Sequence, residues 1–139
     1  MQMNEVFVDT SALYALLAER DGKHRAARSA AQSLRSQDAR LVTSSFVVQE
    51  TIGLLQARLG VETVRVFYRD VLPVLTVLWI GEELLHRAMA ALLASSQRSI
   101  SITDWSSFTL MREREIERAF TFDDDFSRQG FELVPEPSS

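Results

Sequence analysis

The stretch Val6-Phe7-Val8-Asp9-Thr10-Ser11-Ala12-Leu13 runs from an apolar, β-branched segment into a single acid and then into a Thr-Ser pair suited to start a helix. That order predicts a buried parallel strand whose C-terminal end delivers a carboxylate. The same syntax returns near the other terminus, where Ala119-Phe120-Thr121-Phe122-Asp123 is again a short apolar run closing on an acid. In open α/β sheets, ligands bind outside the carboxyl ends of the strands. Either acid alone is equally well explained as a helix cap or a turn-maker.

Working outward, strands and helices alternate. Strand 1 is expected at about residues 5–9, then a helix from Thr10 to about Glu19, a turn at Arg20-Asp21-Gly22, and an alanine-rich helix from about Lys23 to Ser36. Leu41-Val42-Thr43 reads as a short strand. Ser44 or Ser45 caps a helix reaching Leu59, which Gly60 ends. Val61 to Leu72 reads as a helix stopped by Pro73, and Val74 to Ile80 as the longest strand. A helix follows from about Glu82 to Ser95, Thr103 is expected to cap another from Asp104 to about Arg114, and Glu132-Leu133-Val134 closes the series as a strand. This alternation predicts an α/β fold with a mostly parallel sheet covered on both faces. Residues 1–134 are expected to form a single domain, with 135–139 as a short flexible tail.

Composition narrows the function classes. A chain of 139 residues with 46% apolar content suits one core. No stretch reaches the ~18 apolar residues of a membrane span. Met1-Gln2-Met3-Asn4-Glu5 lacks the character of a signal peptide, so a soluble, cytoplasmic protein is expected. With no cysteine there is no disulfide, thiolate metal site or cysteine nucleophile, and a metal would be held by oxygen, with help from a histidine at most. The net charge of −4 is unlike that of a general nucleic-acid-binding protein, yet permits an enzyme whose acids are neutralised by metal. Lys23 is the sole lysine, and the arginines that dominate the basic residues suit phosphate oxygens, although most are expected as solvated or paired surface.

Two further acids stand out by position. Glu50 lies in a helical segment among Val47, Val48, Ile52, Leu54 and Leu55, where a carboxylate on or beside the buried face would need a cation or a partner. Asp104 follows Ile100-Ser101-Ile102-Thr103 in a first helical turn, where the macrodipole favours negative charge and capping alone would also explain it. The arginines Arg112, Arg114 and Arg118 are expected to pair with Glu113, Glu115 and Glu117. His24 and His86 sit on helical segments away from the acids and read as surface or packing residues.

In combination, Val-Phe-Val-Asp9-Thr-Ser-Ala-Leu, Val-Val-Gln-Glu50-Thr, Ser-Ile-Thr-Asp104-Trp-Ser-Ser-Phe and Phe-Thr-Phe-Asp123-Asp-Asp-Phe before Gly130-Phe131 resemble the PIN-domain ribonucleases, and within them the VapC-like toxins of toxin–antitoxin pairs. The resemblance covers Val6 to Val134. It implies a three-layer fold with about five parallel strands in the order 3-2-1-4-5 and the acids gathered over the carboxyl edge, with Mg²⁺ or Mn²⁺ as cofactor. It assigns Asp9, Asp104 and Asp123 to the metal, and Glu50 to the metal or to orienting the attacking water. Thr10, Ser11 and Thr121 become supporting hydrogen-bonding groups. In the run Asp123-Asp124-Asp125, the strand-end position and Thr121 favour Asp123. Trp105, Phe108, Phe67, Tyr68 and Trp79 are expected in the core rather than as faces for stacked bases.

The implied partners are an RNA substrate, an antitoxin whose helix or tail occupies an apolar groove near Leu13, Tyr14, Leu17, Leu54 and Leu55, and a second copy in a homodimer. A stand-alone RNA-processing nuclease would share every one of these residues. Two rivals fail on particular positions: a haloacid-dehalogenase-like phosphatase wants a second Asp where Ser11 stands, and a receiver domain wants a late lysine. An inactive PIN-like binding module is opposed by intact acids at all four positions.

Overall fold

The computed structural model describes residues 4–137. Five strands, β1 (Glu5–Val8), β2 (Arg40–Ser44), β3 (Thr76–Leu78), β4 (Arg118–Phe120) and β5 (Glu132–Val134), form one sheet in the order β3-β2-β1-β4-β5. Every neighbouring pair is parallel. In β1 the successive residues Val6, Phe7 and Val8 are all buried. Side chains alternate across a strand, so burial of all three means that both faces of the sheet are covered by helices.

Among the described residues, seven α-helices connect and cover the strands: α1 (Thr10–Leu17), α2 (His24–Ser36), α3 (Ser45–Leu59), α4 (Val61–Val66), α5 (Glu82–Ser95), α6 (Ile102–Arg114) and α7 (Asp124–Arg128). None of the helices is long and apolar enough to cross a membrane, among the described residues. Ser44 caps α3 by accepting from the backbone N–H of Val47. Gly60 ends α3 and at once begins α4, with φ of 96°, a left-handed value that disfavours any residue with a Cβ.

Several boundaries differ from expectation for physical reasons. The helix expected to reach Leu72 stays α-helical only to Val66, then widens into a π-helical turn at Phe67–Val71 and a 3₁₀ turn at Leu72–Val74. Pro73 lacks an N–H, and its ring would clash with the carbonyl four residues back in a regular helix. Strand β3 is three residues rather than seven, because β2 ends at Ser44, opposite Leu78, and turns into α3; Trp79 and Ile80 have no strand beside them to pair with. The cap of α6 is Ser101 rather than Thr103. The short helix α7, unanticipated in the sequence, is capped by Asp123 and held by the buried Phe126. Of the expected tail, residues 138–139 lie outside the described residues.

Arg112 and Arg114 in the last turn of α6, and Arg118 of β4, reach partners far along the chain. Arg114 forks onto Glu5, Arg118 onto Asn4 and Gln37, and Arg112 onto Gln129, while Glu113 takes Arg87. These contacts tie the end of α6 to distant parts of the chain.

The aromatic core fixes the parts that matter for function. Phe108 of α6 packs edge-on against Phe126 of α7 at 4.9 Å between ring centroids, and Phe126 stacks on Phe7 of β1 at 6.5 Å. Such pairs are worth about 0.5–1.5 kcal/mol each beyond their burial. Three elements that carry acids are therefore locked together through one cluster of rings.

Candidate active site

The parallel sheet places the ends of β1 and β4 side by side, and the acids follow from that register. Val8 pairs with Phe120, so the next residues, Asp9 and Thr121, emerge together at the carboxyl edge. Thr121 Oγ1 donates to Asp9 Oδ2 at 2.9 Å, and Ser11 Oγ donates to the same oxygen at 3.0 Å. Both hydroxyls are themselves fixed by backbone donors. The N–H of Phe122 reaches Ser11 Oγ at 2.9 Å, and the N–H of Asp123 reaches Thr121 Oγ1 at 3.0 Å. Asp9 is thus oriented by two N–H to hydroxyl to carboxylate relays from the β4–α7 loop.

Asp9 is only 4% exposed, and no cation pairs with it among the described residues. Burial is the main reason that its pKa rises from 3.8 to about 6. The negative field of Asp104 adds to the rise, while hydrogen bonds from Thr121, Ser11 and the backbone of Thr10 oppose it. Thr10 contributes through its backbone; its own hydroxyl meets Thr51 of α3 at 3.5 Å.

Asp104 stands at the third position of α6, inside a reciprocal capping box. Its N–H donates to Ser101 Oγ, and its Oδ2 accepts from the N–H of Ser101, both at 3.1 Å. Capping therefore engages one carboxylate oxygen and leaves Oδ1 available. The Asp104 pKa is raised, first by burial and then by the charges of Glu50 and Asp125. Two buried hydroxyls beyond it, Ser106 and Ser107, both turn back onto the carbonyl of Thr103.

Asp123 caps α7 through Oδ1, which accepts from the N–H of Asp125 at 2.9 Å. Its pKa is also raised, by burial first and then by Asp104, Asp125 and Asp124. Asp124 is exposed, whereas Asp125 pairs with Arg128 at 2.8 Å and still bears on Asp104. The structure thus adds Asp125 to the acids around Asp104. Its signal in the sequence was the cap-and-turn pattern starting at Asp123, too short to count as a helix by periodicity.

Glu50 is exposed, so of the two placements expected, on or beside the buried face of its helix, it takes the second. Thr51, its neighbour, is the residue that is buried, packed on Thr10. That contact sets Glu50 on the rim of the acidic site, where its charge is felt by Asp104. Asp104 is the centre of the arrangement: Asp9, Asp123, Asp125 and Glu50 each couple to it. No three acids close together into a ready-made ion cage among the described residues.

Both histidines lie apart from this site. His24 Nδ1 contacts the carbonyl of Ala15 at 2.8 Å, and His86 faces Glu82 on the exposed side of α5. Of the residues suggested for an apolar groove, Leu13 and Leu55 belong to the core, while Tyr14, Leu17 and Leu54 are partly exposed. Phe67, Phe108 and Trp105 are buried as expected. Tyr68 and Trp79 are not: they are 68% and 83% exposed.

The PIN domain family model matches residues 6–132. The chain belongs to the PIN-domain family. Among curated proteins, this PIN domain is 34% identical over 133 residues to the 23S rRNA-specific endonuclease VapC20 of Mycobacterium tuberculosis, covering 94% of this chain and 99% of that one. It also superposes on the crystal structure of M. tuberculosis VapC20, a Sarcin-Ricin loop cleaving toxin, with a TM-score of 0.78 at 32% identity, over 91% of this chain and 95% of that one. FitAcB from Neisseria gonorrhoeae, with a TM-score of 0.66 at 15% identity over 92% of this chain and 95% of that one, shares the fold. The PIN domain described here is thus a homologue of an endonuclease toxin along nearly its whole length.

Proposed function

We propose that this PIN domain is a divalent-metal-dependent endoribonuclease, acting as the toxin of a toxin–antitoxin pair. The observation that carries the reading is Asp9, buried at the carboxyl edge beside Thr121 with its pKa pushed up to about 6, within the electrostatic reach of Asp104, which in turn feels Glu50 and Asp125. A buried carboxylate in the field of other carboxylates is costly without a cation. Perturbed acids clustered at such an edge are a recurrent mark of a catalytic site.

The donor set suits Mg²⁺ or Mn²⁺. All donors are hard oxygens, and Mg²⁺ commonly keeps several waters and takes only one or two carboxylates directly. An ion held by this set would keep part of its water shell. Asp9, Asp104 and Asp123 would hold it, with Glu50 at the rim to hold it or to orient a water. When bound, such an ion lowers the pKa of water and offsets charge at a scissile phosphate. Ser11 and Thr121 hold Asp9 Oδ2, and the Ser101 N–H holds Asp104 Oδ2, so that Oδ1 of Asp104 remains for an ion.

Kinship with VapC20 makes ribosomal RNA the first substrate to try and a cognate antitoxin the expected protein partner. A guanidinium inserted among these acids would satisfy them as a cation does, a direct route to inhibition. A homodimer and a cytoplasmic setting complete the proposal. The test is cleavage of structured RNAs, a large-subunit rRNA fragment among them, by purified protein with Mg²⁺ or Mn²⁺. Loss of cleavage with chelator and in folded Asp9→Ala and Asp104→Ala variants supports the reading; wild-type protein that binds no divalent ion and cuts nothing when free of partner overturns it.

A further inference from the structure

Trp79 is 83% exposed, the largest exposure among the large apolar side chains of the described residues, and it follows β3 directly. In a parallel sheet, a residue that follows a strand lies at the carboxyl edge, the edge that also carries Asp9 and Thr121. The sheet order puts β3 two strands from β1. At about 4.8 Å per strand, that is about 10 Å along the edge, within the reach of neighbouring nucleotides on one strand. Val74, also exposed, precedes β3 by two residues and so lies toward the opposite end of the strand.

The Trp79 backbone is well held. Leu78, before it, is in register with Ser44, and Ile80, after it, donates its N–H to Ser45 Oγ at 2.9 Å. Ser45 begins α3, the helix that carries Glu50. The backbone that carries the exposed indole is therefore tied to the helix that carries Glu50.

We propose that Trp79 is a stacking platform for an unpaired base of the RNA substrate, beside the acidic site. This rests on the nuclease reading above and deepens it. Every base has a π face, so stacking on an aromatic ring binds single-stranded RNA without needing cations. A chain with net charge −4, and with Glu82 and Glu83 exposed just beyond Trp79, gains little from phosphate attraction at this point. Stacking supplies affinity of another kind there. It also favours substrates whose bases are unpaired near the cut, since a base inside a duplex offers no free face.

The experiment compares Trp79→Ala and Trp79→Phe with wild type in steady-state cleavage of an RNA that wild type cuts, with thermal midpoints to confirm folding. A second readout is quenching of the exposed indole by a single-stranded RNA 12-mer in the inactive Asp9→Asn background; Trp105, 7% exposed, is shielded from it. The expected result is quenching by RNA and a fall of about 5- to 100-fold in kcat/KM for Trp79→Ala, chiefly through KM, with Trp79→Phe retaining most activity. Unchanged KM in Trp79→Ala, with no quenching, overturns the proposal and leaves the nuclease intact. The same holds if Trp79→Ala weakens only the binding of a cognate antitoxin, which would make this a protein-docking surface. A wild type that cuts no RNA fails earlier, with the nuclease reading itself.

Discussion

Thr121 Oγ1 donates a 2.9 Å hydrogen bond to Asp9 Oδ2 across 112 residues of chain, and the same hydroxyl accepts the N–H of Asp123 at 3.0 Å. One threonine thus couples the acid after β1 to the acid after β4. Its donated bond favours the ionised form of Asp9 and opposes the effect of burial. Thr121→Val keeps the shape and removes the hydroxyl. Divalent-ion affinity should fall about 10- to 100-fold, in the range for lost partners of ligating groups, and the acid limb of the pH–rate profile should move to higher pH. Titration calorimetry with Mn²⁺ and a pH–rate profile check both. An unchanged acid limb would mean that the hydroxyl does not set the Asp9 charge.

Asp9 places a function-for-stability trade at the centre of the sheet. Holding a carboxyl with an ordinary pKa of 3.8 at about 6 disfavours the folded state by about 3 kcal/mol at neutral pH without a cation. Asp9→Asn removes that charge while keeping an oxygen for Ser11 and Thr121. Metal-free Asp9→Asn should be more stable than metal-free wild type, by up to about 3 kcal/mol in urea unfolding, while cleavage is lost. Lower stability of the variant in chelator would show that burial of the charge is already compensated.

The sign of the pH dependence follows from the same group. Folded Asp9 binds its proton more tightly than the unfolded chain does, so its contribution to stability is complete below pH 3.8 and is lost as pH rises through about 6. Asp104 and Asp123 are raised too and push in the same direction. In chelator, urea midpoints should fall from pH 4 to pH 7. With millimolar Mg²⁺ or Mn²⁺ the fall should shrink, because an ion that binds only the folded, deprotonated site returns stability by mass action. Parallel pH curves with and without ion would contradict this coupling.

Much of this was legible in the chain because strand ends declare themselves. Val6-Phe7-Val8 before Asp9 is buried on both faces, as a short apolar, β-branched run closing on an acid and a helix start predicts. The strand order and the grouping of Asp9, Asp104 and Asp123 at one edge came from the resemblance of the whole pattern. What escaped depends on tertiary partners. The apolar pattern around Glu50 left open whether it lies on or beside the buried face; Thr51 takes the contact with Thr10, and Glu50 stands exposed beside it. Trp79 looked like core because aromatic residues in strands usually are, but β2 ends at Ser44 and leaves nothing beside it. Asp125 and α7 were hidden by length, since five residues show no period.

The cap of α6 offers a separation of structure from chemistry. Ser101 and Thr103 are both plausible caps by residue type, and only Ser101 makes the bond, to the N–H of Asp104. Its own N–H in turn holds Asp104 Oδ2. Ser101→Ala should cost about 1 kcal/mol of stability. It should also lower activity: Ala keeps the backbone N–H that holds Asp104 Oδ2, but without the side-chain half of the box the first turn of α6 is held less firmly, and with it the carboxylate. Ser101→Asp, which can still cap, should recover most of the stability but not the activity, since it adds another negative charge beside Asp104. Unfolding midpoints and cleavage rates measured on the same preparations decide this. Equal recovery of both in Ser101→Asp would mean that the cap acts on Asp104 through helix stability alone.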